Sequence, residues 1–272
     1  MTTGQRKAIF ITGGGSGIGR ATARHFAAQG WLVGLGDIDE AGMAQTAALL
    51  PAGAASAHRL DVRERDQWAR ALAEFSAISG GRLDVLFNNA GVGLGGLYDT
   101  LPPQDADFVI DVNLRGVVNG IYMALPLLRA TPGSCILNTG SASGYYGSPG
   151  LSIYSATKFA VRALTEALDI EFAPDGIRVR DIMPGFIDTP LLNRAVQGSN
   201  ETSRDRVVAA GLEFTPVEEV AQCALNAVHG HKLHTPVGKT ARRLAFAARW
   251  IPGRLRQQLK GSRDAGRLTL GN

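Results

Sequence analysis

The chain has 272 residues, 45% apolar and 19% charged, enough to bury one sizeable core. Its 34 glycines follow no collagen period, and two cysteines, Cys135 and Cys223, cannot make a disulfide framework; fibrous, disordered and disulfide-rich secreted classes are excluded, and a reducing cytoplasm fits. Charge is uneven: from His229 onward ten Lys/Arg face the single acid Asp264, +9, leaving the first 228 residues with 18 basic and 23 acidic side chains, −5.

The first strand signal, residues 7–12, is a continuous apolar run that stops on Thr12-Gly13-Gly14-Gly15-Ser16-Gly17-Ile18-Gly19 before a helical pattern over 18–29. Such a loop offers free backbone N–H groups and the positive end of a helix dipole, which attract a pyrophosphate; a plain tight turn would use the same glycines. The spacing is G-x-x-x-G-x-G, not the strict G-x-G-x-x-G fingerprint. A second strand, 32–38, carries Asp37, 20 residues past Gly17. There a carboxylate would accept from adenosine ribose hydroxyls and repel a 2′-phosphate, or it would serve as a helix N-terminal acid. With Ile38 next, and Ser16 adding no cation to the loop, NAD is favoured over NADP.

Further strands are expected at 57–62, 85–88, 134–139 and 177–183, and further helices at 63–78, 108–129 and 153–172. Alternating strands and helices, with strands apolar on both faces, point to a doubly wound parallel α/β sheet, a Rossmann fold. The longest uncharged apolar-leaning run, 116–128, contains Asn119 and Pro126 and is too short to span a bilayer; the N-terminus does not read as a signal peptide. Just beyond the fifth strand sits Ser141, where parallel sheets bind ligands. Thirteen residues on, Tyr154-Ser-Ala-Thr-Lys158 puts a tyrosine and a lysine on one helix face. A free tyrosine titrates near pH ~10; a neighbouring ammonium would favour phenolate and make it a usable general base.

Together with Asn88-Asn89-Ala90-Gly91, Asn113 and Pro184-Gly185, these motifs resemble the short-chain dehydrogenase/reductase family, in its compact single-domain NAD(P)-dependent branch, from about residue 7 to 189. The resemblance implies a catalytic tetrad of Asn113, Ser141, Tyr154 and Lys158. Asn113 would fix a helix kink and Lys158 would also bond the nicotinamide ribose. It implies further cofactor contacts from Asp61 and Val62 at the adenine, and from Asn89, Ala90 and Gly91 beside the adenine ribose, with a structural role for Asn89 left open. After the sixth strand, Pro184, Gly185, Ile187 and Thr189 would lie at the nicotinamide carboxamide. Tyr145, Tyr146, Leu151, Leu191 and Leu192 are the expected substrate walls, with a lid over about 190–216. Apolar walls favour a hydrophobic secondary alcohol or ketone, steroid-, retinoid- or aryl/alkyl-like. A non-catalytic NAD-binding regulator of the same fold is the alternative, and no metal site is expected.

Many members of that family end in a short seventh strand that packs in a homotetramer. This chain instead has His234-Thr235-Pro236-Val237-Gly238 and continues for 34 residues. The expectation is therefore a dehydrogenase domain over 1–238, a basic helical extension over 239–272, and a homo-oligomer that is a dimer or a tetramer. The extension reads as two short helices broken at Pro252-Gly253. It suits peripheral contact with an anionic membrane, or a cover for the pocket, or a solvated face. No nucleic-acid motif accompanies its charge.

Overall fold

The computed structural model describes residues 6–193 and 201–264. Seven parallel strands form one sheet in the order β3-β2-β1-β4-β5-β6-β7: β1 Ala8–Thr12, β2 Leu32–Asp37, β3 Ala55–Arg59, β4 Val85–Asn88, β5 Cys135–Thr139, β6 Arg178–Pro184 and β7 His234–Val237. Helices cover both faces: α1 Gly17–Ala28, α2 Glu40–Ala48, α3 Arg65–Ser79, α4 Pro103–Ile110, α5 Gly116–Arg129, α6 Ser152–Glu171, α7 Ser203–Ala209, α8 Val217–His229, α9 Lys239–Trp250 and α10 Pro252–Asp264. β1, β4 and β5 bury nearly every side chain because helices cover both sides. One core lies under α1, α2 and α8 around Ile9, Phe26 and Leu35; the other lies under α3, α5 and α6 around Phe10, Trp68 and Leu86.

Three expectations need correction. The third strand starts two residues early, because its ladder with β2 pairs Val33 with Ala55 and Asp37 with Arg59. The segment at 234–237 is itself a seventh strand, paired from Asp181–His234 to Pro184–Val237. Pro236 is tolerated since β7 is an edge strand. His234 helps hold that edge: its Nδ1 lies 2.8 Å from buried Asp181 and its Nε2 3.0 Å from Glu166. Burial opposes a charge on the ring, but the Asp181 and Glu166 carboxylates raise its pKa above the ordinary value.

The third correction concerns the apolar helix. Residues Pro103–Ala130 form a helix long and apolar enough, by length and composition, to cross a membrane. It is a core helix here: Val109, Val112, Val117, Ile121 and Leu128 are buried under the sheet, as are the polar Asn113 and Asn119. Its middle, Asp111–Arg115, widens into a π-turn, a distortion frequent at functional sites.

Candidate active site

At the carboxyl ends of β1 and β2 the loop between Thr12 and Gly19 is set by its glycines. Gly13 and Gly17 have φ of +68° and +49°, where a side chain is strained. A Cβ on Gly19 would run into the Gly13 carbonyl. The loop is braced from beneath: Thr46 Oγ1 donates to the Gly14 carbonyl at 2.9 Å, and Arg20 donates to that of Gly15. α1 begins at Gly17 with no side-chain cap from Ser16 and no acid in its first turn. Its leading N–H groups and dipole therefore face the cleft without an internal anion, a fit for a pyrophosphate.

Asp37 closes β2 in the same cleft. Its Oδ2 accepts from Gly15 N at 2.9 Å and its Oδ1 from Asp39 N at 3.1 Å. Ser16, Ile18, Ile38, Asp61, Val62, Ala90 and Gly91 line the cleft beside it. Gly15 and Gly19 shape the loop without lining the cleft. Asn89 is a staple as well as a wall: its Nδ2 donates to Thr12 O at 2.9 Å, and its Oδ1 accepts from Thr139 at 3.2 Å. Sequence reading passed over Arg63, which also lines the cleft. Its guanidinium grips the Asp61 carboxylate at 2.6 Å and lies over the Phe108 ring at 5.4 Å. That hydrogen bond holds the Asp61 carboxyl below its usual range. The doublet Asp-x-Arg was the available signal.

The cleft continues into an apolar cavity, since Ile18, Asn89, Gly91, Thr189 and Leu191 line both. Four side chains converge around it. Ser141 stands just past β5 as the cap of a short 3₁₀ turn, Ala142–Gly144; its hydroxyl accepts from Ser143 N at 3.1 Å and favours the ionised form of Tyr154. Tyr154 lies in the first turn of α6, with Lys158 one turn on, its Nζ 5.6 Å from the tyrosine ring. Lys158 Nζ donates to Thr139 O at 2.8 Å, which ties α6 to the end of β5. Asn113, in the π-turn, clamps Val92 from both sides: Val92 N donates to its Oδ1, and its Nδ2 donates to Val92 O, each at 2.8 Å. Gly91 lies between these groups, for a Cβ there would stand 3.3 Å from Asn113 Oδ1 and 3.8 Å from Lys158 Nζ.

The electrostatics depart from expectation. Burial raises the Tyr154 pKa, and the Ser141 hydrogen bond opposes the rise without cancelling it. The same burial lowers Lys158 from 10.5 to about 8. Desolvation disfavours both charged forms, so Tyr154 lies above its ordinary value rather than below it, where a neighbouring ammonium was expected to bring it.

Pro184, Gly185, Ile187, Thr189, Leu151, Leu191 and Leu192 line the cavity. Tyr145 and Tyr146 do not. The 3₁₀ turn that precedes them packs closely on α6 and β6: a Cβ on Gly144 would stand 2.8 Å from Met183 Cε and 3.0 Å from Lys158 O. They pack instead on buried Ala241, Leu244, Leu255 and Leu259 of α9 and α10. Tyr145, under the Arg162 guanidinium at 5.3 Å, is pushed by burial to about 12.

The cavity side that the tyrosines were to form comes from Phe186, Val207, Leu212, Thr240, Leu244 and Leu259. The lid contributes α7, started by a capping box between Thr202 and Asp205; the expected lid residues 194–200 lie outside the described residues. The apolar period of the C-terminal segment was the signal for Leu244, but nothing local tells which surface it covers.

The short chain dehydrogenase family matches residues 7–200. A 3-oxoacyl-(acyl-carrier-protein) reductase from Thermotoga maritima is 37% identical over 222 residues, 80% of this chain and 89% of that protein. A meso-2,3-butanediol dehydrogenase from Serratia marcescens is 35% identical over 241 residues, 86% of this chain and 95% of that one. A solved short chain dehydrogenase/reductase from Burkholderia phymatum, in complex with NAD, is 26% identical with a TM-score of 0.81, covering 100% of this chain and 99% of its own. With the sheet order, the glycine loop and the Ser141, Tyr154 and Lys158 cluster already in place, the chain belongs to the short-chain dehydrogenase/reductase family, oxidoreductases that move a hydride between an alcohol or ketone and a nicotinamide cofactor.

Proposed function

We propose that this protein is an NAD-dependent dehydrogenase of apolar secondary alcohols, or reductase of the matching ketones, with Tyr154 as general acid/base. One observation carries the reading: Ser141, Tyr154 and Lys158 converge in a largely apolar cavity continuous with a cleft that ends at the Asp37 carboxylate. The bound nicotinamide supplies the hydride acceptor or donor. The proton steps belong to the chain. Ser141 Oγ holds the substrate oxygen, and Tyr154 Oη takes its proton during oxidation and returns it during reduction. Lys158, as ammonium, favours the phenolate at that moment. Asn113 keeps the Val92 segment and the α4–α5 helix in register beside them.

The choice of NAD rests on Asp37, whose carboxylate would accept from ribose hydroxyls and repel a 2′-phosphate, while Arg63 is already paired with Asp61. Substrate apolarity rests on Leu151, Leu191, Leu192, Leu212, Leu244 and Leu259 in the cavity wall. Exposed Ile110, Tyr122 and Phe159 on α4, α5 and α6 support self-association as a dimer or tetramer, and free Cys135 and Cys223 suit a reducing cytoplasm. No observation favours a non-catalytic regulator.

The test is NAD(H) turnover over secondary alcohols and ketones, from short aliphatics and polyols to steroids and retinoids, with NADP(H) in parallel. Turnover with NAD that rises with substrate apolarity is expected. Preference for polyols would overturn the substrate class, and preference for NADP would overturn the role of Asp37.

A further inference from the structure

α9 and α10 have an inner and an outer face. Inward, Ala241, Leu244, Leu255 and Leu259 are buried, and Thr240, Leu244 and Leu259 wall the substrate cavity. Outward, Arg242, Arg243, Phe246, Arg249 and Trp250 recur at helical spacing along one exposed stripe of α9, and Ile251 follows. Phe246 is 61% exposed, Trp250 64% and Ile251 42%. What sets them apart is their adjacency, for large apolar side chains exposed side by side form a patch that calls for a partner.

Lys239 at the start of α9 pairs with Glu213 at 3.0 Å, but most cations around this patch are unneutralised. Arg243, Arg249, Arg254 and Arg256 have no carboxylate partner among the described residues. Arg242 reaches Glu219 only at 3.8 Å, and Arg249 lies over the Trp250 ring at 5.3 Å. Two aromatic rings and an isoleucine set among unpaired guanidiniums match the boundary of an anionic bilayer, where rings sit at headgroup depth and arginines meet phosphates. A second copy of this face would bring arginine against arginine, which opposes symmetric docking.

We propose that the outer stripe of α9 and the start of α10, centred on Phe246, Trp250 and Ile251, seats on an anionic lipid surface, so that the helices walling the substrate cavity lie against the bilayer. Apolar alcohols concentrated in that bilayer are then taken up where they partition. This last step rests on the apolar-substrate reading above; the docking itself does not.

The full-length protein is floated with vesicles of equimolar phosphatidylglycerol and phosphatidylcholine, and with phosphatidylcholine alone. Trp31 and Trp68 are buried, so a blue shift of tryptophan fluorescence on adding vesicles reports Trp250. Anionic vesicles are expected to bind the protein and shift its emission, with release at high salt. Arg249→Glu with Arg254→Glu is expected to lower binding by about tenfold or more, and Phe246→Ser to lower it at unchanged charge. Turnover of a small soluble alcohol confirms that each variant is folded, because none of these residues lines the cavity. Absence of vesicle binding, equal binding to neutral vesicles, or binding indifferent to these substitutions overturns the proposal. So does concentration-dependent self-association that the same variants abolish, which would assign the stripe to a second copy. Lack of turnover on every alcohol would overturn the catalytic reading and leave the vesicle result to decide docking alone.

Discussion

The nucleotide end of the cleft is made largely of backbone and short side chains between Thr12 and Val92, whereas the substrate end joins residues as far apart as Val92 and Leu259. At the first end, constraints are local. Gly13 and Gly17 adopt positive φ, Gly19 touches the Gly13 carbonyl, and Asp37 returns to hold Gly15. At the second end, the walls come from the loop after β6, the lid helix and the C-terminal helices, each laid over the sheet by its own apolar face. A cofactor shared by many enzymes is met by rigid backbone, and a substrate particular to one is met by pieces that can be exchanged.

Tyr154→Phe separates the two ends most sharply. Loss of the phenolic oxygen is expected to reduce turnover by about 10²–10⁴-fold, while NAD affinity, read by fluorescence titration, stays within about twofold because the nucleotide end is untouched. A Phe variant that turns over at the parent rate would remove Tyr154 from the proton step. Asp37→Ala acts at the opposite end. Removing that carboxylate is expected to shift the ratio of NADP to NAD efficiency by about tenfold to a hundredfold toward NADP, with kcat on the NAD reaction little changed. An unchanged ratio would show that the carboxylate serves only Gly15 and Asp39.

The same contrast explains what could be read from the sequence. A continuous apolar run ending on a glycine loop announces β1 and α1 within about twenty residues, and Tyr154 and Lys158 share a face by helical spacing alone. The seventh strand was missed because Pro236 argues against a strand, and only its edge position and the pairing of His234 with Asp181 and Glu166 make it acceptable. Tyr145 and Tyr146 were misplaced because proximity in sequence to Ser141 and Tyr154 says nothing of direction after a 3₁₀ turn. Leu244 and Leu259 were missed as cavity wall for the converse reason: amphipathic helices reveal that they cover something, but not what.

Two leucines of the extension sharpen that point. Leu255 is buried with Tyr145 and Tyr146 nearby and does not line the cavity, whereas Leu244 is buried and lines it. Each truncation to alanine is expected to lower stability by about 2–4 kcal/mol, measured by denaturant unfolding. Only Leu244→Ala is expected to raise KM for an apolar substrate, by about tenfold. Equal KM effects would mean that the extension shapes the cavity through its folding as a whole rather than through the residues that face it.

The smallest effect has the most specific sign. Burial holds Lys158 at about 8 instead of 10.5, so its ammonium, which the proposed mechanism needs for the Tyr154 phenolate, is present below pH about 8 and lost above it. Turnover is expected to decline with an alkaline limb near that value. Stability moves the other way. Between about 8 and 10.5 the unfolded chain binds a proton at this lysine that the folded chain does not, so folding becomes more favourable as pH rises through that window. Comparison with Lys158→Met cancels every other group, and the stability difference is expected to move by about 2 kcal/mol in favour of the parent between pH 8 and 10. A flat difference would mean that Lys158 titrates as it does in solvent. The opposite trends, activity falling while stability rises, would place the cost of holding a buried ammonium at the substrate end, where the proposed chemistry uses it; the nucleotide end offers fixed backbone dipoles instead.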